Sequence, residues 1–571
     1  MSVTPKEIMS KNKFIPFAVL VLSQSVFAQQ VPSAGSQMQQ IPPIPVPQKA
    51  APKVEVKPGS TPAIADADSV KIIVNRLNVT GAQAYSEAEL LAVTGFIPGS
   101  ELSLSDLRGM ASKIANYYHR NGYFVAQAYL PAQEIKDGAV TIAVIDGQYG
   151  NVTLHNQTNV SDDLANSLLG GLNSGDPVTS APLESRLLLL SDLPGVKVNS
   201  TLVPGTSVGT SDLIVDLTPG RRVSGEVDAD NAGNRYTGSN RIGATINLNE
   251  PTGHGDVASL RVLTSGAGLN YARASYQMQF GKATAGVAYS ALRYELGQEF
   301  ESLQANGTAE VASIYGSYPL IRSRNNNLYA GLAYDDKTFQ DKVDSTGAVT
   351  DKKAHVLMAS LYGDHRDNFG GGGLSTYSLT WSTGDIDITG SSGLIPTALA
   401  ADAAGPQSNG HFDKLGFSAM RLQSVTESIS FSAAINGQLA SKNLDVSEKM
   451  ELGGMYAVRA YPEGETYADE GYVLTLEARL QLPKFSERLP GQMQLIAFVD
   501  TGSVTINKNP GPWSGAGPNN RTLSGAGVGF NWSDPNNFMV RAYYAFKLGD
   551  EVATSAPDAS GRFWIQAVKY F

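Results

Sequence analysis

The sequence predicts an all-β transmembrane barrel of about 16 antiparallel strands, preceded by two small α+β modules of order β-α-α-β-β. Three observations predict it. From Arg221 to the terminal aromatic Phe571, apolar and polar residues alternate with a period of two. The connections in that region alternate between short and long. No stretch reaches the roughly 20 apolar residues that a membrane helix needs. In a bilayer every backbone N–H and C=O must find a partner within the protein, so strands cross only as a closed sheet.

Composition narrows the class further. Cysteine is absent, glycine numbers 58, and tyrosine outnumbers phenylalanine by 24 to 19. A cysteine-free chain cannot be trapped by wrong disulfides in an oxidising compartment. The net charge of −10 speaks against a nucleic-acid binder, which would present a basic face.

Residues 1–28 read as an export signal. Lys11 and Lys13 precede an apolar run from Phe14 to Leu22, and Val26-Phe27-Ala28 supplies a small-residue cleavage site after Ala28. A membrane anchor is disfavoured because the run is short and Pro16 interrupts it. Residues 29–69 carry eight prolines between Val31 and Pro62. Proline fixes φ and removes a donor, so the segment is expected as an extended, mobile linker and not a packed element.

Residues 70–149 form the first module. Leu77 and Val79 alternate in a short strand, and Ser86 with Glu89 makes a capping box. Ser103 with Asp106 opens a longer helix whose Leu107, Met110, Ala111, Ile114 and Tyr118 share one face. Gly122 ends it, and strands follow at Phe124–Leu130 and Val140–Ile145. The same order recurs in residues 150–219: a strand at Asn151–Leu154, helices at Asp162–Leu169 and Leu183–Leu190, strands at Val196–Val203 and Leu213–Leu217. The repeat is about 75 residues, longer than solenoid periods.

Residues 220–571 are the barrel. In Arg241–Asn249, Ile242, Ala244, Ile246 and Leu248 are expected to face lipid, with Arg241, Thr245, Asn247 and Asn249 in the lumen. In Val473–Leu482, leucines and Ala478 alternate with Thr475, Glu477, Arg479 and Gln481. A charge on the lipid face at mid-membrane costs roughly 2–4 kcal/mol, which fixes the two faces. The turns at Gly281-Lys282, Ser424–Thr426 and Ser533–Asn537 are short and periplasmic. Asp385–His411, Asp445–Gly471 and Ile506–Arg521 are long and external. Lys569, on the face of Phe571, lies near enough to the end to reach the interface.

Several motifs carry no chemistry. Gly205-Thr206-Ser207-Val208-Gly209 has the spacing of a nucleophile elbow but joins two strands, where an elbow needs a helix after it. The six histidines show no metal-ligand spacing. Gly370–Gly373 and Gly525-Ala526-Gly527-Val528-Gly529 precede no helix, so neither is a phosphate loop; glycines in strands more often permit curvature. The expectation is no metal, no cofactor and no enzyme activity.

The loop Gly453–Tyr472 differs. It holds Val458-Arg459-Ala460-Tyr461, and a later strand places Phe498 and Asp500 inside the barrel. Arg459 and Asp500 meet only if the loop folds inward; otherwise both are solvated charges of little consequence.

The carriers of a family resemblance are Tyr117–Tyr123 (Tyr-Tyr-His-Arg-Asn-Gly-Tyr), the Leu130-Pro131-Ala132-Gln133 step, and Leu187–Val196 with its Asp192-Leu193-Pro194-Gly195. The barrel entry Asp228–Gly233 and the Asn249-Glu250-Pro251 step add to it. Across the mature chain these resemble the transporters of two-partner secretion (TpsB; haemolysin secretion/activation, ShlB/FhaC/HecB) within the Omp85 superfamily. The modules then match polypeptide-transport-associated (POTRA) domains in the periplasm, below a barrel in the bacterial outer membrane. The resemblance implies a pore that recognises and exports one large TpsA-type exoprotein, haemolysin- or adhesin-like, without ATP. It also implies a monomer contacting outer-membrane lipid and LPS, delivered by the barrel-assembly machinery. Val458, Arg459, Ala460 and Tyr461 correspond to the family's loop motif Val-Arg-Gly-Tyr, with Arg459 the latch, Asp500 its barrel-wall partner and Phe498 beside it.

This chain departs from the pattern twice. Ala460 replaces glycine, a penalty if that position needs φ > 0. Family members often plug the pore with an N-terminal helix, yet residues 29–69 are too proline-rich for a long one; either the plug is lacking or a short peptide serves instead, and no helical plug is the favoured expectation. The alternative function is an Omp85-type insertase, which usually carries more periplasmic modules and opens laterally. A porin needs no such modules, and an enzyme would need a nucleophile and base that are missing.

Overall fold

A computed structural model describes residues 31–42, 53–56, 70–266, 268–389, 398–514 and 517–571. The expected export signal, with its expected cleavage after Ala28, lies outside them.

The linker is the first correction. It contains a buried helix, α1 (Ala34–Gln39), and a strand, β1 (Lys53–Val56). The prolines leave room for the helix, since Pro32 and Pro42 bracket a proline-free window just long enough for α1. Pro32 stands outside the helix, before its N-cap Ser33, and so breaks no internal hydrogen bond.

The first module contains β2 (Lys71–Val74), β3 (Arg76–Thr80), α2 (Glu87–Thr94), β4 (Ser100–Ser103), α3 (Leu104–Arg120), β5 (Gln127–Tyr129) and β6 (Ala139–Ile145). β6 sits between β3 and β5, while β2 and β4 pair separately. The Ser103–Asp106 box closes both ways. At Ser86 only half of it forms, because the Glu89 carboxylate instead accepts the Tyr117 hydroxyl at 2.6 Å. β5 is shorter than expected since Phe124 and Val125 pack against the core of the second module. The Gln133 carboxamide takes the vacated place beside β6, accepting from Thr141 N at 2.7 Å and donating to Thr141 O at 2.8 Å.

The second module follows: β7 (Gln148–Asn156), α4 (Asp162–Leu169), α5 (Ser180–Asp192), β8 (Val196–Pro204) and β9 (Thr210–Pro219). Leu183, Leu187, Leu189 and Leu190 of α5 fill its core. Its sheet runs β1-β8-β9-β7, so the linker strand β1 is added in parallel along β8.

The barrel begins with β10 (Val223–Asp230), β11 (Arg241–Asn249), β12 (Val257–Thr264), β13 (Leu269–Phe280), β14 (Ala283–Glu295), β15 (Ala305–Arg322) and β16 (Asn326–Val343). It continues with β17 (Ala348–Asp367), β18 (Gly373–Thr389), α6 (Ala398–Ala404) in an external loop, β19 (Gly410–Ser424) and β20 (Ile429–Ala440). After the two-residue strands β21 (Met450–Glu451) and β22 (Tyr467–Ala468) of the long loop come β23 (Glu470–Gln481), β24 (Gln492–Thr505), β25 (Asn520–Asp534), β26 (Phe538–Lys547) and β27 (Gly561–Tyr570). Without β21 and β22, these strands close a 16-strand antiparallel barrel, sealed where β27 pairs β10.

The two faces fall where the alternation put them. Ile242, Ile246 and Leu248 point outward while Arg241, Thr245 and Asn249 are buried within. The Lys569 ammonium donates to Asn537 Oδ1 in the adjacent periplasmic turn.

Candidate functional site: a loop and a helix inside the lumen

The segment between β20 and β23 folds into the barrel. A short ladder, Met450 to Ala468 and Glu451 to Tyr467, holds its two arms together. At its tip Val458, Ala460 and Tyr461 are fully buried, packed with Leu452 and Met455 against Phe498, Tyr543 and Trp564. Burial of that apolar tip, at about 25 cal/mol per Å², is what draws the loop inward.

Arg459 is thereby carried to the barrel wall. Its Nε donates to Asp500 Oδ2 and its Nη2 to Asp500 Oδ1, both at 2.8 Å, a bidentate fork. The backbone N–H of Arg459 donates to the same carboxylate at 3.2 Å, and Thr475 Oγ1 adds a fourth bond at 3.0 Å. The guanidinium carbon lies 3.4 Å from the ring centre of Phe498 and 4.9 Å from that of Tyr543. So Arg459, Phe498 and Asp500, which the family resemblance placed together, converge.

Other participants were not singled out. Arg459 Nη1 donates to Glu477 Oε1 at 3.0 Å, and Arg479 grips the other oxygen of Glu477 at 2.7 Å. Trp564 Nε1 donates to the Arg459 carbonyl at 2.7 Å. The only signal for Glu477 was its place on the luminal face of a strand. The glycine run on β25 also acquires a role. A Cβ on Gly525 would lie 2.5 Å from Ala460 Cβ, one on Gly527 2.5 Å from the Phe498 ring, and one on Gly529 2.3 Å from the Tyr543 ring. These glycines form a trough that seats the loop tip and the rings beside it. Ala460 carries no penalty, since its φ is not positive, and its methyl fills the trough.

A second set of charges anchors the arm of the loop at Val446–Glu448. Lys352 Nζ donates to Asp445 Oδ2 and Lys337 Nζ to Glu448 Oε1, each at 2.7 Å, with Lys414 on Glu448 Oε2 at 2.8 Å. All five groups come from a loop and three wall strands that no local pattern connects.

α1 rests on that anchored arm. Gly35 approaches so closely that a Cβ there would lie 2.7 Å from Ser447 Cβ. Gln39 Nε2 donates to Val446 O at 2.9 Å and the Ala34 N–H to Asp341 Oδ1 at 2.7 Å. Thr237 Oγ1 donates to Gln37 Oε1, and Arg241 Nη1 to the Gln40 carbonyl, both at 2.8 Å. A short helix therefore occupies the lumen, against the expectation of none. What decides this is the polar lining that satisfies its ends, which the proline count does not reveal.

A model of the haemolysin secretion/activation protein family ShlB/FhaC/HecB matches residues 209–532. A model of the ShlB-type POTRA domain matches residues 72–147. The heme/hemopexin transporter protein HuxB of Haemophilus influenzae (strain 86-028NP) is 29% identical over 560 residues, covering 96% of this chain and 97% of the relative. The outer membrane transporter CdiB of Dickeya dadantii (strain 3937) is 22% identical over 420 residues, 71% of each chain. Among solved structures, CdiB from Escherichia coli gives a TM-score of 0.65 at 18% identity, over 90% of this chain and 93% of that one. BamA from Haemophilus ducreyi, lacking POTRA domains 1-3, gives 0.53 at 15% identity, over 88% and 100%. These two likenesses are of fold.

Proposed function

The chain belongs to the haemolysin secretion/activation protein family ShlB/FhaC/HecB, and from that membership we propose a gated export pore, latched by Arg459 and Asp500 and stoppered by α1. As a member it is a two-partner secretion transporter of the bacterial outer membrane, with POTRA domains in the periplasm. It exports a specific partner protein to the cell surface without ATP.

The observation that carries the gate is the Arg459–Asp500 fork, 5% and 0% exposed. A buried pair of this kind adds little net stability, yet removing one partner while the other stays buried costs roughly 3–5 kcal/mol. That suits a device with two discrete states. The seam between β10 and β27 is paired over Glu226–Asp230, which favours a route through the lumen over lateral release.

Partner recognition follows from β1. A strand added to a sheet edge gains affinity from backbone hydrogen bonds, and β1 already fills the β8 edge in this way. In this reading a partner's strand displaces β1, and because β1 and α1 lie on one segment, docking loosens the stopper. Unfolded chain then passes outward and folds outside. The end-to-end match to HuxB favours a partner serving heme or hemopexin uptake. The pore works as a monomer, its outer face meets LPS, the barrel-assembly machinery inserts it, and no reaction is assigned to it.

The test compares secreted and outer-membrane proteomes with and without the gene. Loss of one large protein from the medium, with other barrels unchanged, is the expected result. A broad fall in barrel proteins would mean an insertase and would overturn the reading.

A further inference from the structure

Two sequence motifs that the gate does not use meet at the joint between the second POTRA domain and the barrel. Asp192, Leu193 and Gly195 of the Asp-Leu-Pro-Gly step close α5. The Asn249-Glu250-Pro251 step opens the periplasmic turn between β11 and β12. Asp192 is gripped by Arg322 at the end of β15, Nε to Oδ2 at 2.7 Å and Nη2 to Oδ1 at 2.8 Å. Leu193 packs on Gly255, where a Cβ would lie 2.8 Å from Leu193 Cδ2. Gly195, with φ +68, lets the chain pass so close that a Cβ would lie 2.9 Å from Asn249 Cβ and 3.8 Å from Glu250 Cγ. Beside it Ser161 N donates to Gly253 O at 2.9 Å.

Glu250 is the anomaly in this joint. It adopts φ +54 and is only 6% exposed, and among the described residues neither carboxylate oxygen has a well-formed hydrogen bond, the Gly255 N–H being the one donor nearby. The side chains around it do not help it carry charge. From its own turn comes Asp256, whose carboxylate accepts from Thr252, His254 and Tyr276 and so stays negative. β13 contributes the Tyr276 hydroxyl, which is spent on Asp256. Gly195 brings no charge from the POTRA side. Arg221, before β10, turns its carbonyl to this place, where Asn249 Nδ2 donates to it at 2.9 Å. A buried carboxylate with only one poorly placed N–H near it is costly as an anion and is relieved by a proton.

We propose that this joint is a proton-coupled clamp: the second POTRA domain seats with Glu250 protonated beneath Gly195 and Asp192 held by Arg322, and loosens when Glu250 ionises. Burial, and secondarily the charge of Asp256, push the Glu250 carboxyl up to about 7, with the nearby Gly255 N–H opposing in part. Undocked, it returns to the ordinary carboxylate range. Docking therefore takes up a proton. It is strongest below about pH 4.5, weakens as pH rises to about 7, and levels off above that, changing by roughly tenfold per pH unit within the window. Glu250 and Asp192 act as positioning residues that set how firmly the partner-binding edge stays over the pore mouth.

The chain lacks cysteine, so Asn166→Cys on α4 and Glu427→Cys on a periplasmic turn accept spin labels specifically. Distances are read in the full chain in lipid vesicles, without any partner, so the result is independent of the export reading. One short distance at pH 5, joined by a longer population at pH 7.5, is expected. Glu250→Gln should hold the short distance at both pH values, and Asp192→Asn should show the longer one already at pH 5. Identical wild-type distributions at the two pH values would overturn the proposal, as would a Glu250→Gln variant that shifts like wild type. Heat-modifiable mobility confirms that each variant's barrel is folded.

Discussion

Trp564 on the last strand donates its indole N–H to the carbonyl of Arg459 at 2.7 Å. The wall thus holds this one loop residue by its backbone as well as by its side chain. Arg459→Ala would leave Asp500 buried and unpaired, at roughly 3–5 kcal/mol. Export of the partner should fall severely while the barrel still reaches the outer membrane. Trp564→Phe keeps the ring but loses one bond, about 1 kcal/mol, and should reduce export only partly. Near-normal secretion by Arg459→Ala, measured beside barrel abundance, would refute the latch.

The trough on β25 gives an asymmetric expectation. Ala460→Gly removes a methyl from a position that does not need glycine and should be nearly silent. Gly525→Ala places a Cβ 2.5 Å from Ala460 Cβ and should push the loop tip off the wall, lowering export as Arg459→Ala does. Secretion titres of the two variants side by side decide it.

The lysines that anchor Val446–Glu448 should matter to the closed state. Lys352→Ala orphans Asp445, and Lys337→Ala leaves Glu448 with Lys414 alone. Higher single-channel conductance in planar bilayers is expected, greater for Lys352→Ala, which removes the whole ion pair. Lys352→Arg, keeping the charge, should recover most of the closed behaviour. Unchanged conductance in Lys352→Ala would count against the anchor.

Deleting residues 33–41 removes α1 and strips Asp341 and the Arg241 side chain of luminal partners. Conductance and sensitivity to large antibiotics should rise, with the barrel still folded. If both stay at wild-type values, α1 is not the stopper.

The barrel was largely legible because each strand lies between two solvents, lipid and a watery lumen. In β11, Ile242 and Arg241 had to take opposite faces, and neighbours along the chain reveal it. The helical modules were legible for a similar reason, as in Leu107, Ala111 and Ile114 on one face of α3. Family resemblance, and not spacing, brought Arg459 and Asp500 together in the sequence.

By itself, then, the sequence determined the strands, their facing and the two modules, since these follow from short-range periodicity. Tertiary structure alone decided that Glu477 and Trp564 join Arg459 at the wall, that Gly525, Gly527 and Gly529 seat the loop tip and the rings beside it, and that Lys352 meets Asp445. It also decided that a linker full of prolines sends a short helix into the lumen and one strand onto β8. Each depends on contacts between residues far apart in the chain, where a buried polar group takes whichever partner the closed barrel brings within reach.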